Sequence, residues 1–363
     1  ILVIRVSALG DVILVTGALD ALRARFPGAA IHCVVREDCA AVLEGQRYVD
    51  RLWVLPRRAG LRELWQLGLA LRREHFDVLY DAHRSLRSRL LVPVVAADRV
   101  LRFPKRYVRR FLYLKLRAPA LRHVPPFRVA HVRALRPLGI DADRRTRLDV
   151  SDANVRSTVR KVPLLAAPRR RRLAVAPSAA WPLKRWPLEY FRRTIETLLE
   201  EDSSLDVVVL GGTSDDFCAR LVEGLDATRV ANAQGQLSLP ESFAALAQVD
   251  GLLANDTGLA HAAEALGKPA VFLFGPTTPE IGVRPQHSSS QIAERDLWCR
   301  PCSKHGNGRC WRGDHACLRG LLPEVVLPRI RTMLGLASEK KRDALTLGAP
   351  DGTSGDASNP FGP

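Results

Sequence analysis

Residues 5–27 read RVSALGDVILVTGALDALRARFP and predict the end of a strand, a tight turn and a helix in succession. The apolar side chains after the turn have the spacing of one buried helix face: Val12, Val15, Leu19 and Leu22. A strand–turn–helix that binds a dinucleotide usually carries several glycines in this turn. Here Gly10 is the one glycine and Asp11 follows it. The turn therefore offers a carboxylate where a phosphate would be expected.

Strand-like and helix-like segments alternate from this stretch onward. In the first half the strand-like segments are ILVIRV, AIHCVV, RLWVL and FDVLYDAH, and a helix is predicted near residues 61–74. In the second half they are LAVAPSA, DVVVLGG, RVANAQG, DGLLAND and PAVFLFGPT, with helices predicted at 187–200, 214–223, 240–247 and 257–266. Such alternation indicates βαβ units. We expect an α/β protein with two parallel sheets.

The domain boundaries follow from the segment KVPLLAAPRRRR, which has two prolines and four consecutive arginines. We expect an α/β domain at 1–160, a linker at 161–172 and a second α/β domain at 173–337. The remainder, 338–363, is rich in Gly, Ser, Asp and Pro and lacks periodicity, so we expect it to be disordered. No apolar run approaches the roughly 20 residues needed to cross a bilayer, and no signal peptide is evident. We expect a cytoplasmic protein.

The net charge of +17 is concentrated in the first half of the chain. Residues 1–150 hold 29 Lys and Arg against 14 Asp and Glu, and residues 99–136 hold 12 basic residues and no acidic one. The positive electrostatic field of these residues attracts an anionic partner, which could be nucleic acid, an anionic membrane face or a phosphorylated substrate. A coding bias toward arginine is the alternative, although it does not explain the missing acids.

Polar residues follow the predicted strands of the second half, at the sheet edge where such folds bind ligands. Asp256, Thr257 and Gly258 open a helix whose N-terminus is suited to an anion, and His261 lies one turn further on. The next strand ends in a polar loop that contains Thr277. The alternative for this group is a capped helix with a surface histidine.

Two further loops reach the same edge. Lys184, in the segment SAAWPLKRWP, can neutralise the negative charge of a departing phosphate, or it is a solvated loop lysine. The segment LGGTSDD, residues 210–216, is suited to a ribose or base contact and contains Asp215.

Four of the seven cysteines cluster in the pattern C-x2-C-x7-C-x6-C: Cys299, Cys302, Cys310 and Cys317. An odd total in a chain without a secretory signal argues against a disulfide scaffold. The pattern suits a structural zinc ion, although only one pair has the usual two-residue spacing. An iron–sulfur cluster and a set of packed, reduced thiols are the alternatives.

Five segments together resemble the bacterial glycosyltransferase family that includes the ADP-heptose:lipopolysaccharide heptosyltransferases. They are SALGDVILVTGALDAL, YDAHRSLRSRLL, KRWP, NDTGLAHAAEALGKPAVFLFGPT and CRPCSKHGNGRC. The resemblance covers residues 1–334. It implies a GT-B fold, in which two Rossmann-like domains face a central cleft, with the acceptor on the N-terminal domain and the sugar nucleotide on the C-terminal one.

The resemblance also implies roles. Asp11 would be the general base, and the helix N-terminus would keep it ionised. Lys184 would hold the donor diphosphate. The expected donor-binding residues are Asp256, Thr257, Gly258, His261, Thr277 and Asp215. One carboxylate without a covalent step predicts inversion at the anomeric carbon, and charge neutralisation by Lys184 would make a metal cofactor unnecessary.

The basic stretch is then expected to serve the acceptor. Arg84 and Arg87 could contact acidic sugars or phosphates of a lipid-linked glycan. Residues 103–119 interleave Arg and Lys with Phe, Tyr and Leu, as a helix on an anionic membrane surface would. We expect the enzyme at the inner face of the cytoplasmic membrane, transferring a heptose or related sugar, with ADP-heptose the expected donor.

Two other classes remain as alternatives. A basic nucleic-acid-binding protein with a zinc loop would explain the charge and the cysteines, but the chain has no recognisable nucleic-acid module. A nicotinamide-dependent oxidoreductase would need a Gly-x-Gly-x-x-Gly turn, which neither predicted sheet supplies.

Overall fold

A computed structural model describes residues 1–105, 107–117, 119–121, 124–141, 144–167 and 170–336. The first sheet has five parallel strands in the order β3-β2-β1-β4-β5. They are β1 (Leu2–Ile4), β2 (His32–Arg36), β3 (Arg51–Leu55), β4 (Val78–Asp81) and β5 (Arg99–Arg102). The sequence reading did not predict β5, whose basic residues at both ends are exposed at the sheet edge.

The second sheet has six parallel strands in the order β11-β10-β9-β6-β7-β8. They are β6 (Arg171–Ala176), β7 (Leu205–Val209), β8 (Val230–Asn232), β9 (Gly251–Asn255), β10 (Ala270–Phe274) and β11 (Gln291–Glu294). The central strands β9 and β10 are buried along their whole length, which explains why they read as nearly continuous apolar runs. The prediction of two parallel α/β sheets is confirmed.

Helices cover both faces of each sheet. Those of the first half are α1 (Leu9–Arg25), α2 (Glu37–Ala40), α3 (Leu61–Arg72), α4 (Leu86–Val95), α5 (Tyr107–Leu116), α6 (Phe127–Arg133) and α7 (Asp152–Lys161). Those of the second half are α8 (Leu188–Glu201), α9 (Cys218–Val222), α10 (Leu239–Ala247), α11 (Gly258–Ala265), α12 (Ala316–Arg319) and α13 (Pro323–Leu334). None of the helices in these described ranges has the length and apolarity to span a bilayer.

One expected helix, 214–223, is shorter than predicted because a turn precedes it. The carboxylate of Asp215 accepts the backbone N–H of Gly212 at 2.7 Å, and the Cys218 N–H donates to the Asp215 carbonyl at 2.8 Å. These bonds hold residues 212–217 in a turn, so α9 begins only at Cys218. The carboxylate is thereby kept at the edge of the sheet.

One hydrophobic cluster joins the two halves. It includes Ile13 and Val15 of α1 together with Ala260 and Ala263 of α11. An extended segment, residues 144–150, lies against both helices: the Arg147 N–H donates to the Thr16 hydroxyl, and the Leu148 N–H to the Ala265 carbonyl. The two sheets are thus held with their carboxyl edges toward each other.

The proposed linker is partly ordered. Lys161 ends α7, a single 3-10 turn spans Pro163–Ala166, and β6 begins at Arg171, while residues 168 and 169 lie outside the described residues. The expected disordered tail, 338–363, also lies outside them. The domain boundaries stay a prediction.

Candidate active site

A cleft of about 700 Å³ lies between the carboxyl edges of the two sheets. The first half contributes these polar and charged side chains: Arg5, Ser7, Asp11, His83, Ser85, Lys105, Arg110 and His131. The second half contributes these: Ser178, Lys184, Asp215, Asp256, Thr257, His261, Lys304 and His305. Most of the predicted site residues therefore face one shared space.

The first turns of α1 and α11 touch at the floor of this cleft. A Cβ atom on Gly10 would lie 3.2 Å from His261 Cδ2 and 3.5 Å from Gly258 Cα. A Cβ atom on Gly258 would lie 2.7 Å from a Leu9 methyl carbon. Both glycines therefore lie where the two halves pack tightly against each other. The single glycine of the first turn makes room for the opposite helix.

Asp11 is the third residue of α1 and is 37% exposed on the cleft wall. The N-cap of α1 is Ala8, and the carboxylate of Asp11, three residues further on, accepts the Ala8 backbone N–H as in a capping box. Its carboxylate forms an ion pair with Arg5 at 2.6 Å. Burial opposes ionisation of Asp11, but the Arg5 charge and nearby hydrogen bonds outweigh it, and the pKa of Asp11 lies below its ordinary value. A carboxylate is thus available to the cleft at neutral pH.

Arg5 was missed by the sequence reading. It follows β1 directly, is buried, and donates to the Ala82 carbonyl at 2.7 Å as well as pairing with Asp11. A buried arginine between two loops of a sheet edge cannot be recognised from local spacing. Its only sequence signal is an arginine at the end of an otherwise apolar strand.

Lys184 and Asp256 form the second charged pair. The Lys184 Nζ lies 2.5 Å from Asp256 Oδ2, and the hydroxyl of Thr277 donates to the same oxygen at 2.9 Å. Lys184 and Asp256 line the cleft, whereas Thr277 is fully buried behind them. Thr277 therefore orients Asp256 and has no surface that a donor could contact.

The remaining predicted donor residues differ in what they offer a ligand. Thr257 is the N-cap residue of α11, and its buried hydroxyl has no hydrogen-bond partner among the described residues. His261 is 5% exposed and packs beside the Phe272 ring at 5.6 Å. Asp215 accepts hydrogen bonds from Ser178 and Gly212. Thr257 thus has a buried hydroxyl without a partner among the described residues, while Asp215 mainly fixes two loops of the cleft.

The predicted acceptor residues Arg84 and Arg87 do not line the cleft. Arg84 donates to the Phe103 carbonyl at 3.0 Å, and Arg87 lies on the first turn of α4. The loop between them and β4 presents His83 and Ser85 instead. Their acceptor role stays a prediction without a contact to support it.

The cleft is rich in cations that the sequence reading did not place there. Lys105, Arg110 and Lys304 line it together with Arg5 and Lys184. Burial and the charges of Arg110 and Lys105 lower the pKa of Lys304. Burial also lowers the pKa of His83 to about 4, so this histidine is neutral at pH 7. The fixed positive charge therefore comes from lysine and arginine and suits a polyanionic ligand.

The four clustered cysteines are free thiols that line one cavity of about 20 Å³. Burial raises the pKa of Cys317 to about 11. Within the part of the chain that the structure describes, no group of three or more His, Cys, Asp or Glu side chains is arranged to hold a metal ion. The zinc site at these cysteines stays a prediction.

The cysteine loop, residues 299–317, packs against two of the predicted donor loops. The Cys302 N–H donates to the Pro276 carbonyl at 3.0 Å, and His315 Nε2 donates to the Leu183 carbonyl at 3.1 Å. Gly306 has a φ of +82°, and a Cβ atom there would lie 2.6 Å from Lys184 Cγ. The loop therefore holds the stem of Lys184 and carries Lys304 and His305 to the cleft.

Two parallel α/β sheets that face one cleft define a GT-B fold. The chain belongs to glycosyltransferase family 9 (heptosyltransferase), whose model matches residues 64–309. It is therefore a glycosyltransferase.

Known proteins agree with this assignment along most of the chain. Lipopolysaccharide heptosyltransferase 1 of Pseudomonas aeruginosa is 28% identical over 84% of this chain and 86% of its own length. Lipopolysaccharide heptosyltransferase 2 of Escherichia coli is 25% identical over 92% of this chain and 98% of its own length. The crystal structure of a family 9 glycosyltransferase from Veillonella parvula has the same fold, with a TM-score of 0.73 and 20% sequence identity. The match covers 93% of this chain and 97% of that chain.

Replacement of Gly306 by alanine tests the contact with Lys184. We expect Gly306→Ala to lower kcat about tenfold or more, because the new methyl group must displace the lysine stem, and small misplacements of catalytic groups are costly. The control is Gly308→Ala, which has a similar strained φ of +96° but no atom within 4 Å of the new Cβ. Steady-state transfer rates and melting temperatures of both variants separate the two effects. Equal losses in the two variants would contradict a positioning role for Gly306.

Proposed function

We propose that the protein transfers a heptose, or a related sugar, from ADP-heptose or a similar nucleotide sugar to a lipopolysaccharide core or comparable lipid-linked glycan. The observation that carries this proposal is that Asp11 and Lys184 face the same cleft from opposite halves of the chain. The names of the relatives support heptose as the sugar and lipopolysaccharide as the acceptor class. A solved E. coli heptosyltransferase with the same fold holds an ADP-2-deoxy-2-fluoro heptose (TM-score 0.62), which supports the donor class.

Asp11 is proposed to act as the general base. The acceptor hydroxyl loses its proton to the Asp11 carboxylate as its oxygen attacks the anomeric carbon. The other acids of the cleft, Asp215 and Asp256, are 7% and 6% exposed and are engaged by protein donors. Asp11 is the more exposed carboxylate, and no second free one is placed for a covalent intermediate among the described residues of the cleft. A single displacement, with inversion at the anomeric carbon, follows.

The leaving group is proposed to be stabilised by the opposite wall. As the bond between the anomeric carbon and the phosphate oxygen breaks, its electron pair goes to the departing nucleoside diphosphate. Lys184, Lys304 and the N-terminus of α11 with its free Thr257 hydroxyl surround the space where this charge would develop. Preorganised cations and helix N-termini can supply such stabilisation without a divalent metal. We propose metal-independent transfer for this reason.

The acceptor is proposed to contact the first-half wall. Lys105 and Arg110 line the cleft there, so they are better placed for an anionic acceptor than Arg84 and Arg87. The competing hypothesis, a nucleic-acid-binding protein, receives no support from the family or from the relatives.

Removal of the Asp11 charge tests the proposal. With ADP-heptose and a heptose-deficient lipopolysaccharide acceptor, Asp11→Asn should lower kcat by about 10²–10⁴-fold, the usual contribution of a general base. Donor affinity, measured by calorimetry, should change little because Asp11 lies on the acceptor side. The matched control is Asp20→Asn on the same helix, away from the cleft. An Asp11→Asn enzyme as fast as the wild type would refute the assignment, and NMR of the product reports the anomeric configuration.

The pH profile tests the Arg5–Asp11 pair. A base must be deprotonated, and the lowered pKa of Asp11 should let kcat/KM persist as the pH falls below the ordinary aspartate value. Arg5→Met removes the opposing charge while burial remains, so the acid limb should move to higher pH. Arg5→Lys retains the charge and should restore the limb toward the wild-type position. An unchanged profile in a folded Arg5→Met enzyme would contradict the electrostatic role.

We also propose, separately from catalysis, that the four clustered cysteines hold a structural zinc ion. The support is that all four thiols line one cavity of about 20 Å³. They are not arranged as a metal-binding group in the described structure, so zinc would have to draw them together. Elemental analysis of purified protein should find about one zinc per chain, and Cys299→Ser with Cys302→Ser should abolish it. Cys218→Ser, a buried cysteine elsewhere in the second half, is the control and should retain the metal. Protein that neither retains nor takes up zinc would disprove the proposal, and iron in its place would indicate the alternative cluster.

A further inference from the structure

Helices α3 and α4 cover the face of the first sheet that is turned away from the second half. Leu2 and Ile4 of β1 pack with the buried side chains of these helices, whereas Val3, on the other face, packs with α1. The two helices touch at Gly68, where a Cβ atom would lie 2.7 Å from a Val94 methyl carbon. Their outward surface has no covering element among the described residues.

This outward surface is unusually apolar. The exposed fractions of its large side chains are 73% for Leu61, 58% for Trp65, 40% for Leu69, 74% for Leu86 and 46% for Leu90. On α3 they recur every fourth residue, and the pair on α4 has the same spacing, so each helix bears one stripe. We call these five side chains the apolar stripe.

The two parts of the stripe lie beside the seam between the helices. Trp65 is three residues before Gly68, and Leu90 is four residues before Val94, so each neighbours a residue of the helix contact. The stripe thus runs along both sides of the contact between the two helices. A contiguous exposed patch of this kind marks an interaction surface.

Arginines accompany the apolar stripe: Arg62, Arg72, Arg87 and Arg89. Across the described residues none of these four forms an ion pair. The one acid on the two helices, Glu63, accepts the Gly60 N–H at 2.9 Å at the N-terminus of α3. Exposed leucine and tryptophan side chains can insert into a lipid surface, and the arginines beside them can bind its anionic headgroups. A second copy of this chain would present the same positive charge and would be repelled.

The stripe also begins next to the cleft. Both helices start at the carboxyl edge of the first sheet, and Ser85, the N-cap residue of α4, lines the cleft immediately before Leu86. A lipid surface on the stripe would therefore lie beside the wall to which we assign the acceptor.

We propose that the apolar stripe and its arginines insert into an anionic lipid bilayer and hold the acceptor side of the cleft at the membrane surface. The inference extends the proposed lipid-linked acceptor, and it locates membrane contact on α3 and α4. The sequence had pointed to residues 103–119 instead. There, Arg109 donates to the Ala120 carbonyl, Arg110 stacks on Phe127, and Arg117 stacks on Trp311, so these arginines are used within the protein.

Vesicle sedimentation tests the proposal without any sugar nucleotide, so its result is independent of the proposed reaction. Wild-type protein should sediment with vesicles of phosphatidylglycerol and phosphatidylcholine in equal parts, and much less with phosphatidylcholine alone. Trp65→Gln with Leu86→Gln should lower the partition coefficient at least about tenfold, because two inserted apolar side chains are lost. The control is Leu322→Gln with Val325→Gln, which removes two exposed apolar side chains from the second half and should change nothing.

Three results would overturn the proposal. The first is wild-type protein that does not bind the anionic vesicles. The second is undiminished binding by a folded Trp65→Gln, Leu86→Gln variant, with the loss appearing instead in Val108→Asn with Phe111→Asn on α5. The third is a dimer in size-exclusion chromatography that the Trp65→Gln, Leu86→Gln variant dissociates, which would make the stripe an interface between copies.

Discussion

The contact between the first turns of α1 and α11 is the constraint on which the cleft depends. Gly10 and Gly258 permit this close approach, because a Cβ atom on Gly258 would lie 2.7 Å from a Leu9 methyl carbon and one on Gly10 would lie 3.2 Å from the His261 ring. The contact also brings two positive helix ends to the same space and sets Asp11 opposite the α11 N-terminus. The proposed general base and the proposed anion-binding site can then share one cleft without either half holding both. The glycines thus determine how near the two walls can come.

The paired charges of the cleft explain how acids persist in a cationic environment. Arg5 pairs with Asp11 and Lys184 pairs with Asp256. The Arg5 charge lowers the pKa of Asp11, so this acid stays ionised despite its burial. Lys184 is largely buried by its partner and by the cysteine loop, so a diphosphate bound as proposed would meet a fixed cation rather than a hydrated, mobile one. Such preorganisation is the main electrostatic advantage that a protein has over water.

The sequence predicts the sheets and the loops at their edges because buried parallel strands are apolar runs and their carboxyl ends are polar. It cannot predict which side chain of a loop faces the cleft. Arg84 and His83 are neighbours, yet the first turns to a backbone carbonyl and the second to the cleft. Thr277 lies behind Asp256 for the same reason. Such orientations depend on contacts between distant segments, which local spacing does not encode.

The positive charge of the first half shows that a sequence does not reveal where a side chain lies, because its arginines occupy three different environments. Some face the cleft, as Arg110 does; others pack inside the protein, as Arg117 does; and a third group, including Arg87, remains free on the outer helices. Still others are paired with acids, as Arg331 is with Glu201 in the second half. Net charge therefore identifies the sign of the partner but not its location. A free arginine beside an exposed leucine is a different site from an arginine beside Asp11, and only the fold separates them.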